Sequence, residues 1–176
     1  MIVMLGDSIT EWAGNWSKLL DSSKEIINQG ISGNTGVDIL ARMDEIYFCN
    51  PDFVFIMFGI NDIFQGYDIG TIFSNYQKIL QKLEEKTKAQ IIIQSTLYIF
   101  GSSPEFKEVN KSVTRLDEKL QSYSQENAIS FLNLNEFLSK DEMLRADCSV
   151  DGVHLSQFAY SLWAKTLKDT FSEIFK

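Results

Sequence analysis

The chain has 176 residues, 44% of them hydrophobic and 23% charged, with 24 acidic against 16 basic side chains and a formal net charge of −8. That length fits one domain, residues 1–176, with a sizeable buried core, while the acidic balance and the lack of any Lys/Arg cluster argue against nucleic acid as a partner. No apolar run approaches the roughly 18 residues of a membrane span, so no stable membrane insertion is expected. The opening residues lack the basic start of a signal peptide, and Cys49 and Cys148 show neither zinc spacing nor a disulfide framework, so the chain reads as cytoplasmic.

In chain order, "IVML" (2–5) reads as the first strand. It runs into Gly6-Asp7-Ser8-Ile9-Thr10, where a serine leaving a strand through a turn can present both its hydroxyl and its N–H, or can simply cap a helix. "NWSKLLDSS" reads as a helix and "EII" (25–27) as the second strand. The loop "NQGISGNTG" (28–36) follows; it matches neither G-x-G-x-x-G nor a P-loop. Its glycines let backbone N–H groups approach a negative charge, with Gly33 the most exposed candidate and Asn34 or Thr35 available to cap the next helix.

"TGVDILARMDEIYF" shows apolar residues three and four apart and predicts one helix. "DFVFIMF" (52–58) predicts a third, central strand, and "GIND" (59–62) at its end offers the neutral amide donor of Asn61. The rest of the chain alternates in the same way, with helix "TIFSNYQKILQKLEEKT", strand "QIIIQSTL" (90–97), helix "VNKSVTRLDEKLQSYSQEN" and strand "ISFLNL" (129–134). After "DGVHLS" (151–156) a long amphipathic helix, "LSQFAYSLWAKTLKDTFSEIF", is capped by Ser156. Near-continuous apolar strands alternating with helices predict an α/β fold with a parallel sheet covered on both faces.

Ligands of open α/β sheets bind beyond the carboxyl ends of the strands, which is where these segments fall. Together they hold the parts of a serine hydrolase. Ser8 supplies a hydroxyl and His154, the only histidine, supplies a base whose ordinary range lies near neutrality. Asp151, three residues earlier, can orient the imidazole. The Ser8 and Gly33 N–H groups and the Asn61 amide are candidate oxyanion donors. A single histidine with scattered carboxylates does not make a metal site, so neither a metal nor another cofactor is expected.

These blocks, "GDSIT" at 6–10, "GISGNTG" at 30–36, "GIND" at 59–62 and "DGVHLS" at 151–156, resemble in order and spacing those of the SGNH hydrolase superfamily, also called the GDSL esterase/lipase family. Within it the chain looks most like bacterial acylhydrolases related to platelet-activating-factor acetylhydrolase. The resemblance implies a three-layer α/β/α sandwich with a five-stranded parallel sheet, the flavodoxin-like SGNH hydrolase fold. It also implies Ser8 as nucleophile, Asp151 and His154 completing a triad, and Ser8, Gly33 and Asn61 forming the oxyanion hole. Asn34, where many relatives carry Asp, Ile60, often Thr, and Ala159, often Gly, depart from the common pattern and bear on substrate detail.

The expected activity is hydrolysis of small carboxylic esters, acetyl or other short-chain, with a small-molecule ester as partner. The alternatives are a lysophospholipase or thioesterase acting on longer acyl chains and a non-catalytic ligand-binding module on the same fold. Asp7 and Asp62 read as loop-holding residues, while Trp12, Phe64, Val153 and the loop 98–104 are candidates to line a pocket. Oligomeric state is left open, a homo-oligomer included.

Overall fold

The computed structural model describes residues 1–175. Its elements are β1 (Ile2–Gly6), α1 (Ser8–Glu11), α2 (Trp16–Leu19), β2 (Ile26–Gly30), α3 (Gly36–Ala41), α4 (Met43–Phe48), β3 (Phe53–Met57), α5 (Ile60–Phe64), α6 (Ile69–Lys86), β4 (Gln90–Gln94), α7 (Pro104–Glu126), β5 (Ser130–Leu132), α8 (Asn135–Leu138), β6 (Ser139–Lys140), β7 (Met143–Leu144), α9 (Gln157–Thr170) and α10 (Ser172–Phe175). The five long strands form one parallel sheet in the order β2-β1-β3-β4-β5, and β6 and β7 make a separate antiparallel pair.

Strand residues alternate between two cores. Ile2, Met4, Phe55, Met57 and Ile92 face one side, packed with Trp16, Leu20, Trp163 and Leu167. Val3, Leu5, Val54, Ile56, Ile91 and Ile93 face the other, packed with Ile39, Ile46, Tyr76, Leu80 and Leu116. A strand apolar toward both layers reads as a continuous hydrophobic run, which is why β1, β3 and β4 lack a period of two. The result is the expected α/β arrangement of helices on both faces of a parallel sheet.

The register sets the site. Gly6 stands opposite Gly30 on one side and Met57 on the other, so β1, β2 and β3 end level. The chain moves from β1 outward to β2 and then returns past β1 to β3, which makes the β1/β3 boundary the switch point where a crevice opens. Gly30 is required there by close approach: a Cβ on it would lie 2.2 Å from the backbone nitrogen of Glu11, so any side chain would push α1 off the sheet.

The structure redraws several expected elements. The helix expected over residues 35–48 is two, α3 and α4, parted at Arg42, and the final helix ends at Thr170 before the short α10. The second strand runs to Gly30, further than its apolar residues indicate, because Asn28 sits in it with an amide that donates to the carbonyls of Thr10, Glu11 and Gly14. Helix α7 begins at Pro104, capped by Ser103, five residues before the periodic stretch. Ser156 caps α9 as expected, its hydroxyl accepting from the Ala159 N–H.

Candidate active site

Ser8 is the first residue of α1, and the residue that caps this helix is Asp7, whose Oδ1 accepts from the Ile9 N–H at 3.0 Å. The Ser8 N–H therefore falls among those a helix start leaves without an intrahelical acceptor. Tyr160 of α9 ties α1 down from behind by donating its hydroxyl to the Ile9 carbonyl at 2.8 Å.

His154 arrives from the other end of the chain on a closed loop. Ser149 and Leu155 bridge as antiparallel partners, and the Val150 N–H donates to the His154 carbonyl at 2.9 Å. Within the loop Asp151 spends both oxygens: Oδ1 accepts from the N–H groups of Val153 at 2.9 Å and His154 at 2.7 Å, and Oδ2 lies 2.7 Å from His154 Nδ1. The other ring nitrogen, Nε2, lies 3.0 Å from Ser8 Oγ. Three side chains from opposite ends of the chain thus form one line of two hydrogen bonds.

Trp12 closes this line on one side. It lies four residues after Ser8, hence on the same face of the turn, and its ring stacks on the His154 imidazole with centroids 3.9 Å apart and planes 14° from parallel. Such a stack restricts rotation of the imidazole. Val153 turns instead onto the hydrophobic core. Phe64 and Phe100 are partly exposed at the ends of their segments, and the Phe100 N–H donates to the Gly152 carbonyl at 2.7 Å, fastening the loop 98–103 to the histidine loop.

The donors come from β2 and β3. Gly33 adopts a positive φ of 80° in an exposed turn, and its N–H meets no acceptor among the described residues. Asn61, in the first turn of α5, donates one amide hydrogen to the Asn34 carbonyl at 3.0 Å, and an amide nitrogen carries a second. The turn is held from several directions. Glu11 accepts from the Ser32 N–H at 2.8 Å and from the Ser32 hydroxyl. Asp62 accepts from the Gly36 N–H at 3.0 Å, and Thr35 caps α3 in a reciprocal pair with Asp38. Asp7 and Asp62 thus each accept a backbone N–H in the loops that flank the site. Arg42, which the sequence reading passed over inside an apparently regular helix, donates to Asn34 Oδ1 at 2.7 Å.

The carboxylates divide sharply. Burial acts to raise the Asp151 carboxyl, but bonds from the His154 N–H, the His154 ring and the Val153 N–H outweigh it, and the group is lowered to about 2. Asp7 is almost completely buried and is pushed up to about 7, by burial first and by the negative charge of Asp62, against the lowering effect of the Ile9 N–H. Asp62 is likewise raised to about 6 by burial. A carboxyl raised on folding binds its proton more tightly in the native state than in the unfolded chain, so stability falls as pH climbs through the interval between the two values. We therefore expect the midpoint of thermal unfolding to drop between about pH 4 and pH 7, with a slope from each such group of at most about 1.4 kcal/mol per pH unit. Asp7→Asn keeps the capping oxygen and should flatten that dependence in a calorimetric pH series; an unchanged slope would contradict the assignment.

No group of three or more His, Cys, Asp or Glu side chains suited to a metal occurs among the described residues. Cys49 and Cys148 are free thiols. No helix is long and apolar enough to cross a membrane among the described residues.

The model of the GDSL-like lipase/acylhydrolase family matches residues 4–162. The chain is 29% identical over 162 residues to an N-acylneuraminate cytidylyltransferase of Streptococcus agalactiae, covering 91% of this chain and 36% of that protein, so it spans about a third of the length of that curated relative. It is 37% identical over 87 residues to an acetylxylan esterase of Geobacillus stearothermophilus, covering 44% of this chain and 40% of the other. A GDSL-like lipase of Bacteroides thetaiotaomicron shares the fold, with TM-score 0.86 at 24% identity over 98% of this chain and 88% of that one.

Proposed function

Since the chain belongs to the GDSL-like lipase/acylhydrolase family, we propose that it is a carboxylic ester hydrolase that cleaves small esters, acetyl or other short-chain, through an acyl-Ser8 intermediate. The observation that carries this reading is the hydrogen-bonded line Ser8–His154–Asp151, with distances of 3.0 and 2.7 Å.

In this mechanism Ser8 Oγ attacks the ester carbonyl carbon while its proton passes to His154 Nε2. Asp151 accepts the Nδ1–H, keeping Nε2 free as the base and stabilising the imidazolium. The carbonyl electron pair becomes an oxyanion held by the N–H groups of Ser8 and Gly33 and by the Asn61 amide. Collapse of this intermediate breaks the bond to the alkoxy oxygen, which leaves as alcohol with the proton from Nε2. Water then attacks the acyl-serine, giving its proton to Nε2, and Ser8 departs with that proton as the carboxylic acid is released.

Because His154 delivers a proton to the leaving oxygen, the alcohol lies beside the half-exposed indole of Trp12. An aromatic wall there suits the C–H face of a sugar. The names of two relatives, an acetylxylan esterase and an N-acylneuraminate cytidylyltransferase, both specify carbohydrates, which supports acetylated sugars as the first substrates to try.

Two measurements test the reading together. Intact mass after treatment with a fluorophosphonate is expected to show a single adduct on Ser8. Rates on esters of increasing acyl length should be highest for the shortest chains. No adduct on a folded chain would mean that the serine is not activated, and a maximum at about eight carbons or more would favour the longer-chain reading instead, since each buried methylene adds about 0.8 kcal/mol to binding.

A further inference from the structure

Arg42 stands between α3 and α4, at φ −113° and ψ 19°, outside both helices. Its half-buried guanidinium reaches back across the carboxyl ends of two strands. Nε donates to Asn34 Oδ1 at 2.7 Å, one terminal nitrogen to Gln29 Oε1 at 3.1 Å, and the other to the Gln29 carbonyl at 2.8 Å and the Gly6 carbonyl at 3.2 Å. Among the described residues no carboxylate lies within ion-pair distance of it. Burial lowers its pKa, opposed by the more distant charges of Glu45 and Asp38, yet an arginine remains cationic at any pH a protein survives.

Withdrawing a cation from water without a carboxylate in contact is costly, and here every hydrogen bond that compensates it goes to a neutral oxygen. Those oxygens belong to the proposed machinery. Gly6 is the last residue of β1, two before Ser8, and its carbonyl also accepts from the Ile31 N–H at 3.1 Å. Asn34 follows Gly33 directly, and its carbonyl receives the Asn61 amide at 3.0 Å. One rigid planar group therefore ties the strand that delivers Ser8 to the turn that delivers Gly33, and through Asn34 to Asn61.

We propose that Arg42 is a positioning residue for the oxyanion donors, fixing the Gly33–Asn34 turn and the Asn61 amide relative to Ser8. This rests on the assignment of Ser8 as nucleophile made above. Donors aimed at an oxyanion act in the transition state rather than on the bound ester, so loosening them lowers kcat more than it raises KM. A displacement of about 1 Å can cost as much as a hundredfold. A lysine at this position keeps the charge but cannot span the same acceptors with one ammonium.

The test compares Arg42→Gln, Arg42→Lys, Asn34→Ala and the Arg42→Gln/Asn34→Ala double variant with the wild type and Ser8→Ala, using a short-chain ester and a fluorophosphonate. Rates are normalised to the fraction of chain that the phosphonate can label, which removes losses due to misfolding. Arg42→Gln should lower kcat by about ten- to a hundredfold with KM within about threefold, and the rate of Ser8 phosphonylation should fall in parallel. Arg42→Lys should recover part of the loss. Because both single changes break one link, the double variant should lose no more than the worse single variant. Wild-type kcat per labelled site in Arg42→Gln, or losses that multiply in the double variant, would overturn the proposal; should Arg42→Gln fail to fold, wild-type kcat in Asn34→Ala would do the same. A wild type with no Ser8-dependent turnover or labelling would overturn the nucleophile assignment and this role with it, whereas normal wild-type behaviour with an unaffected Arg42→Gln would overturn this role alone.

Discussion

Ser8→Ala is expected to lower kcat on a short-chain ester by roughly 10³–10⁶-fold, His154→Ala by a similar factor, and the double variant no further. The reason lies in the 3.0 Å contact between Ser8 Oγ and His154 Nε2. A serine hydroxyl is almost never ionised near neutral pH, so its attack depends on a base that takes the proton as the bond forms, and the chain contains no second imidazole to substitute. Either deletion removes the same step, which is why the effects should not multiply. The donors at Gly33 and Asn61 would remain, leaving a residual rate above that in water. Steady-state kinetics on the three variants settles the matter, and turnover within about tenfold of wild type in Ser8→Ala would refute the acyl-Ser8 mechanism.

Asp151→Asn should be nearly as damaging, with kcat lowered by about 10⁴-fold and little change in fold. The loop decides how an amide would sit. Two backbone N–H groups, from Val153 and His154, point at Oδ1, so the amide oxygen must occupy that position and the NH₂ group must face His154 Nδ1. A donor facing Nδ1 demands an unprotonated nitrogen there, which moves the ring hydrogen to Nε2, opposite the serine hydroxyl. The base is then blocked by its own proton. The native carboxyl, held down to about 2, keeps its charge throughout the range in which the fold would be assayed, so loss of activity with mild acid is not a titration of Asp151. Retention of kcat within about tenfold in Asp151→Asn would remove this residue from the mechanism.

Much of this was legible in the residues themselves. The apolar runs of β1, β3 and β4 announced buried parallel strands, and the three-residue spacing of Asp151 and His154 lets one carboxylate reach both the backbone N–H and the ring. What escaped notice had local physical reasons. The helices that carry Ser8 and Asn61 are four and five residues long, too short for any periodicity to register. The hairpin of β6 and β7 turns at Asp141 and Glu142, both with positive φ, where glycine or asparagine would have signalled a turn. The break at Arg42 carries no glycine or proline that would have marked it, and it falls at the residue whose side chain reaches back to Asn34, Gln29 and Gly6. Ser103-Pro104 was a readable helix start, a capping residue followed by proline at the first helical position, although the apolar period begins only later.

The stack of Trp12 on His154 has a consequence for spectroscopy. A molecule with one histidine gives one imidazole spin system, identifiable in a proton spectrum without isotopic labelling or assignment, and the indole ring current displaces its carbon-bound protons from their positions in a free ring. Those resonances follow the protonation of the base directly and mark its contact with Trp12 at the same time. Assembly of the site can thus be watched in the free protein, with no substrate present.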